Sequence, residues 1–396
     1  MTWHAYLVET MTGRVGRRLT SDTGTGGSWS ITLNGIEEAT VTVDAAAFRR
    51  LDPDWWAAWK SSVLLTHTGP EGEVPILLGP IVKPAAQKGD AVTLTIRGVG
   101  AILERRVVLA RDFLAESGTA SAATMKELAG SVASMTGRSL GTIARDVVDL
   151  VTTGKTAGRL PIRYGTPRET GSRLNQRNYY GFNLANNGAW KRLEELANVI
   201  NGPDFAFRPA WASEDRSRVE WVMVHGTAAQ PVIHQERRLV FDTTAGRSAL
   251  SDLEVTADAG EVTNRVYWTG AGEGAGILAT AVQELEAFGE YMPLLETVGS
   301  TSDTDNRDLV EDHARAALRK GRDVRVQYTG VLNLADRRTA AGLWHVGDAA
   351  DLIIAGRVDV PDGRRSVRII AAKGSLGSDL VTVELEHEGG PDGPAA

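Results

Sequence analysis

The sequence predicts an α+β, β-rich fold in which two small β-barrel or sandwich domains are separated by an α/β domain and the second β domain carries a helical insertion. Three observations carry this reading. Apolar residues at period two, with glycine and proline turns between them, fill the first hundred residues and return after residue 237. Helical spacing takes over between those two regions. In the second β region, a glycine-laden break and a capped helix separate two strands. The expected limits are 1–108 for the first β domain, 109–236 for the middle domain with a long polar loop at 154–182, and 237–388 for the second β domain with its insertion at 271–322. The last residues, 389–396, are expected to be disordered.

In the first region, Trp29, Ile31 and Leu33 alternate with polar residues, as do Ala39, Val41 and Val43, with Asn34-Gly35 between the two runs. Asparagine and glycine tolerate positive φ, so this pattern predicts a hairpin. Asp52-Pro53 then suits a cap and first helical position, predicting a short helix that carries Trp55, Trp56 and Trp59. Further strands are expected at 63–66, 76–82 and 92–96.

In the middle region, Met125, Leu128, Ala129 and Val132 fall at helical spacing and predict a helix closed by Gly137. Ile143, Val147, Leu150 and Val151 mark a second helix, closed by Gly154. Trp190, Leu193, Leu196, Ala197 and Ile200 mark a third, ended by Asn201-Gly202-Pro203. The segment 154–182 is polar and rich in Gly, Arg, Asn and Thr, and loops of that length are usually functional. Strands at 205–208, 219–224 and 232–234 complete the domain.

In the last region, a strand is expected at 262–269, followed by the glycines Gly270 to Gly276 and an excursion through Tyr291-Met292-Pro293-Leu294-Leu295-Glu296. A capped helix at 306–320 follows, and then a return strand at 324–328. Later alternations end in Val381, Val383 and Leu385, and Val360-Pro361-Asp362-Gly363 reads as a turn.

Composition limits the function. The 396 residues carry 42% hydrophobic and 23% charged residues, as a globular chain does, and suit two or three domains. No run approaches the ~20 apolar residues of a membrane span. The opening residues Met1-Thr2-Trp3-His4 have neither the basic nor the apolar part of a secretory signal, so folding in a cytoplasm is expected. There is no cysteine, which excludes disulfides and thiolate metal sites. A net charge of −7 argues against tight DNA binding.

No motif supplies a chemistry. Gly154-Lys155-Thr156 lacks the earlier glycine of a phosphate loop, because Asp149 stands there. The glycines from Gly270 to Gly276 lack the spacing of a dinucleotide turn. Asp303, Asp305 and Asp308 miss the positions of a calcium loop and fit a helix N-terminus better. The seven histidines never fall at metal-ligand spacing. Glu194-Glu195 lies on a solvated helix face. No catalytic residue, cofactor or metal ligand is therefore assigned. Trp55, Trp56 and Trp59 suit inter-domain packing, a subunit interface or a ligand platform. With Tyr179, Tyr180 and Tyr291 they form the set of candidate interface residues.

Taken in order, the elements resemble a minor tail protein of an actinobacterial siphophage. More closely, they resemble the tail-hub proteins, whose fold is shared with the baseplate hub of contractile tails. The resemblance is carried by Gly27-Ser28-Trp29-Ser30-Ile31-Thr32-Leu33, by Leu78-Gly79-Pro80-Ile81-Val82 and by Trp190-Lys191-Arg192-Leu193-Glu194-Glu195-Leu196-Ala197. Asn264-Arg265-Val266-Tyr267-Trp268-Thr269-Gly270 and the helix containing Ala314-Arg315-Ala316-Ala317-Leu318 extend it. What it implies is a non-enzymatic virion protein of the tail tip with two tail-tube-like β domains per chain. Three chains would form a ring of pseudo-sixfold symmetry that DNA crosses on ejection, with only transient, non-specific contact. The implied partners are the distal tail protein, the tape measure protein, and tail fibres or receptor-binding proteins. Some hubs carry a long C-terminal receptor-binding or hydrolase extension; none is expected in a chain ending near residue 390. The polar loop 154–182 is expected to clasp a neighbour. Two other readings are a distal tail ring protein and a glycan-binding or glycan-cleaving tip protein that uses the tryptophans and acidic pairs.

Overall fold

The computed structural model describes residues 2–19, 26–114, 119–169, 175–199, 201–286, 292–301, 304–322 and 324–387. The chain is β-rich, with short helices concentrated in its middle. The first region contains β1 (Thr2–Glu9), β2 (Val15–Arg18), β3 (Gly26–Thr32), β4 (Glu38–Asp44), β5 (Ser61–Gly69), β6 (Gly72–Lys88) and β7 (Ala91–Arg97). The hairpin predicted at Asn34-Gly35 joins β3 to β4, and Asn34 takes φ 58° there. The helix expected to carry three tryptophans is instead one 3-10 turn, Pro53–Trp55, capped by the Asp52 side chain. Trp59, at φ 67°, lies in non-helical backbone and donates its N–H to the Ile81 carbonyl of β6, so the chain bends back to the sheet before a second turn can form.

The middle region holds α1 (Ala122–Gly130), β8 (Val132–Arg138), α2 (Leu140–Thr152), β9 (Ile162–Tyr164), β10 (Asn175–Tyr180), α3 (Ala189–Ala197), β11 (Phe205–Trp211) and β12 (Val219–His225). Three expectations are corrected here. The first predicted helix stops at Gly130, and its second half is β8. Val132, Ser134 and Thr136 face solvent while Ala133 and Met135 are buried, an alternation that helical counting conceals. The segment 154–182 is not one loop, because it contributes β9, parallel to β12, and β10, antiparallel to β8. Residues 232–234 also form no strand. Pro231 there accepts the Asp204 N–H, and Ile233 is buried as part of an irregular segment.

The last region holds β13 (Leu239–Asp242), β14 (Leu250–Asp258), β18 (Arg325–Asn333), β19 (Ala349–Ile354), β20 (Gly363–Ser375) and β21 (Leu380–His387). Asp258 pairs with Arg325, so β14 runs directly into β18 across the base of an outboard module. That module contains β15 (Arg265–Thr269), β16 (Ala279–Gln283), β17 (Glu296–Ser300) and α4 (Arg307–Lys320). The strand expected at 262–269 starts at Arg265 and belongs to the module's own sheet, ordered β16-β15-β17, while 262–264 is irregular backbone. Asn306 caps α4 by accepting the Asp308 and Leu309 N–H groups, Asp308 lies in the first turn, and Arg319 and Lys320 lie in the last, as the helix dipole favours.

The two β regions share one sheet. Its path runs β14-β18-β21-β20-β3-β4-β7-β6-β5-β1-β2, with β19 and β13 attached beside β20. The joint is β20 against β3, in a register that sets Gly374 opposite Trp29. Gly374 has no side chain because the Trp29 indole fills that space: an added Cβ would lie 2.9 Å from the ring. One apolar core lies under both regions, with Trp3, Leu7, Trp29 and Leu94 from the first and Phe241, Tyr328, Leu352 and Leu385 from the last. A second core, built by Ile143, Val147, Trp190, Leu193, Phe205 and Trp221, fixes the middle region to the back of the first through Val8, Leu64 and Leu78.

Candidate assembly surfaces and the three-way junction

The three regions converge where the β3–β4 turn meets β11 and β20. Asn34 reaches across 170 residues of sequence, its Nδ2 donating to Asp204 Oδ1 at 3.1 Å and its Oδ1 accepting the Phe205 N–H at 2.8 Å. The other Asp204 oxygen accepts from Arg368 of β20. One turn, one carboxylate and one guanidinium thus tie all three regions, and all are largely withdrawn from solvent, where ion pairs depend on complete pairing. Beside this lock lies a cavity of about 90 Å³ lined by Trp29, Leu33, Ile76, Phe207, Trp344 and Val346. Its polar rim includes Glu37, whose carboxyl is pushed up to about 7 by burial, although its own backbone N–H works against the shift.

A second contact joins the first and last regions directly. His67, fully buried in β5, holds Asp379 of the β20–β21 turn through Nε2 at 2.8 Å. Trp3 packs edge-on to the imidazole at 4.9 Å and donates its indole N–H to the Ser378 carbonyl at 2.8 Å.

The candidate interface residues are not brought together. Trp55 is half-buried over Gly16, with the Arg14 guanidinium 5.0 Å from its ring. Trp56 tilts onto Phe48 at 5.2 Å, and Arg105 lies 4.7 Å from the Trp59 ring. Each indole thus has a partner within the chain while remaining partly accessible. Tyr179 faces inward from β10, beneath Arg192, and burial pushes its phenol up to about 12. Tyr180, the next residue, faces out and stacks on Phe182 at 5.3 Å; Phe182 is 71% exposed. Tyr291 lies outside the described residues. Sequence reasoning missed Asn34, Asp204 and Arg368, since no local pattern marks partners so far apart.

The acidic groups in the surface clefts are engaged. Asp146 of α2 is held by Arg138 of β8 and by Arg168 at 2.8 Å, and Asp149 by Arg168 at 2.9 Å. On α3, Glu194 accepts the Trp190 indole N–H at 2.8 Å, and Glu195 pairs with Arg192 at 2.5 Å. Lys155, in the segment that suggested a phosphate loop, donates to the Val107 carbonyl at 2.7 Å. Among the described residues no cluster of three or more His, Asp or Glu is placed to hold a metal ion, and no helix is long and apolar enough to cross a membrane.

No protein-family model matches the sequence, and no curated protein matches it. Solved structures do match. The fold is similar to that of a tail protein from Neisseria meningitidis MC58, with a TM-score of 0.55 and 11% identity over 98% of each chain. The 43 kDa tail protein of prophage MuSo2 from Shewanella oneidensis matches with a TM-score of 0.52 and 10% identity, over 97% of this chain and 98% of that one. The fold is that of phage tail proteins. A chain of the Francisella PdpA–VgrG complex, in its lidded form, matches with a TM-score of 0.53 and 8% identity; the match spans 99% of this chain and 54% of that one.

Proposed function

We propose that this chain is a structural hub at the tip of a siphophage tail, of the actinobacteriophage type, and that it is not an enzyme. The observation that carries the reading is the likeness to phage tail proteins along nearly the whole of both chains. In this reading, three copies close the tail tube as a pseudo-sixfold ring, join the distal tail protein and tape measure protein to fibres or receptor-binding proteins, and let DNA pass on ejection. The protein folds in the host cytoplasm and then resides in the virion.

The shared sheet supports the reading. Its path ends on one side at β14, which pairs with β18 alone among the described strands, so a neighbouring copy can extend it there. At the other end the Val15 N–H of β2 already donates to the Ser217 carbonyl. We take 1–108, 109–236 and 237–388 as the working domain limits. The accessible faces of Tyr180, Trp55, Trp56 and Trp59 are proposed as subunit or partner contacts. Light scattering on the full chain is expected to give a trimer that does not degrade cell-wall glycan. A monomer that binds or cleaves glycan would sink the hub reading, and a hexamer would move the chain to the distal tail ring.

A further inference from the structure

We propose that the outer edge of β17 is a strand-addition site for a partner protein segment that alternates aliphatic side chains with lysine or arginine. The module that carries it stands apart from the main sheet and has a very small core: Val266, Ala314 and Leu318 are its buried apolar cluster, with Trp268, Val282 and Ala317 packed around them. A unit of that size with so little buried gains little stability by itself. Its helix α4 packs on β15 and β16, and among the described residues β17 pairs with β15 alone.

The outer face of the sheet is apolar where it should be wet. The register sets Ala281, Tyr267 and Val298 side by side across the three strands. Tyr267 is 39% and Val298 72% exposed, and no described residue covers them. The rest of that face is organised: Glu296 of β17 accepts from both Arg265, at 3.0 Å, and the Tyr267 hydroxyl, at 3.1 Å. Under the sheet, Gly299 lets the Trp268 ring lie against β17, so the strand is fixed from below while no described residue covers its edge or upper face. An open edge beside an apolar row is the arrangement that accepts an added strand: main-chain hydrogen bonds supply affinity, and alternate side chains supply selectivity.

Charge names the occupant. Residues 259–324 contain twelve acidic and six basic residues, a net −6 out of the whole chain's −7. A second copy of the module, or nucleic acid, would approach against that charge, while a basic strand would approach along it. The proposal does not depend on the tail-hub reading, because it follows from the module alone.

The test uses the full-length protein with 13C-labelled valine methyl groups. The probe is a blocked octapeptide alternating valine and lysine, compared with one alternating valine and glutamate. The lysine peptide is expected to shift the Val298 methyl signals saturably, and the glutamate peptide to leave them in place. Raising salt about tenfold should weaken the lysine peptide about tenfold, as screening of its several charges requires. In Val298→Lys the reporter methyls are gone, so binding is followed by the fluorescence anisotropy of a dye-labelled lysine peptide. Binding should be lost there without a change in melting temperature, since the side chain it replaces is exposed. Three results would overturn the proposal: equal or absent response to the two peptides, slow amide exchange at Val298 in the free chain, or a change in light-scattering mass on Val298→Lys. The second would show that the chain already covers the edge, and the third that another copy occupies it.

Discussion

Asp204 concentrates more of this fold than any catalytic side chain could, because its two oxygens serve two different regions of the chain. Asp204→Ala would leave the Arg368 guanidinium without its countercharge in a site only 16% exposed, at an expected cost of about 3 kcal/mol in urea unfolding. Asn34→Gly keeps the positive φ but loses both bonds to the middle region, and should cost about 1–3 kcal/mol. Glu37 makes stability depend on pH. Its folded carboxyl holds a proton up to about 7, against an ordinary 4.5, so the folded state binds more protons between those values. Its contribution is therefore complete below the lower value and lost as pH rises through the upper one. Wild type should lose urea resistance between about pH 4.5 and about pH 7 relative to Glu37→Gln, and equal slopes for the two proteins would contradict this assignment. These roles were not legible in the sequence. Asn34-Gly35 announced a turn, but nothing in that dipeptide points to a carboxylate 170 residues away.

Elements were legible where every local signal agreed. The Asn306 cap, the acidic first turn and the basic last turn of α4 all point the same way, and the helix lies where they place it. Met125 to Gly137 failed because helical and alternating spacings overlap there: Leu128 and Val132 fit a helix, while Ala133 and Met135 fit a strand that only its pairing with β10 can reveal. The segment 154–182 looked like a loop because β9 and β10 are short and polar on one side. The outboard module should be the least stable part of the chain, since its core is small and its helix depends on one cap. Asn306→Ala should cost about 1 kcal/mol, seen as faster hydrogen exchange in α4 with the main sheet unaffected. A uniform change across the chain would mean that the module and the sheet unfold together.

At the scale of the whole molecule, the sequence showed two β regions around a helical one but not that the outer two share a sheet. Alternation reveals which residues face a core; it does not reveal that Trp29 and Tyr328 face the same one. A fragment ending at residue 236 should therefore keep the middle region's packing but lack a completed first region, seen as dye binding to exposed apolar surface and weak near-ultraviolet signal. The β3–β20 joint also sets an order of events during synthesis. Strand β3 leaves the ribosome more than 330 residues before its partner is made, and at ordinary elongation rates of about 5–20 residues per second it waits tens of seconds. Throughout that interval Trp29 and its neighbours lack their cover, so the nascent chain is most prone to aggregation late in translation, and a chaperone that shields apolar strands would act on the N-terminal third.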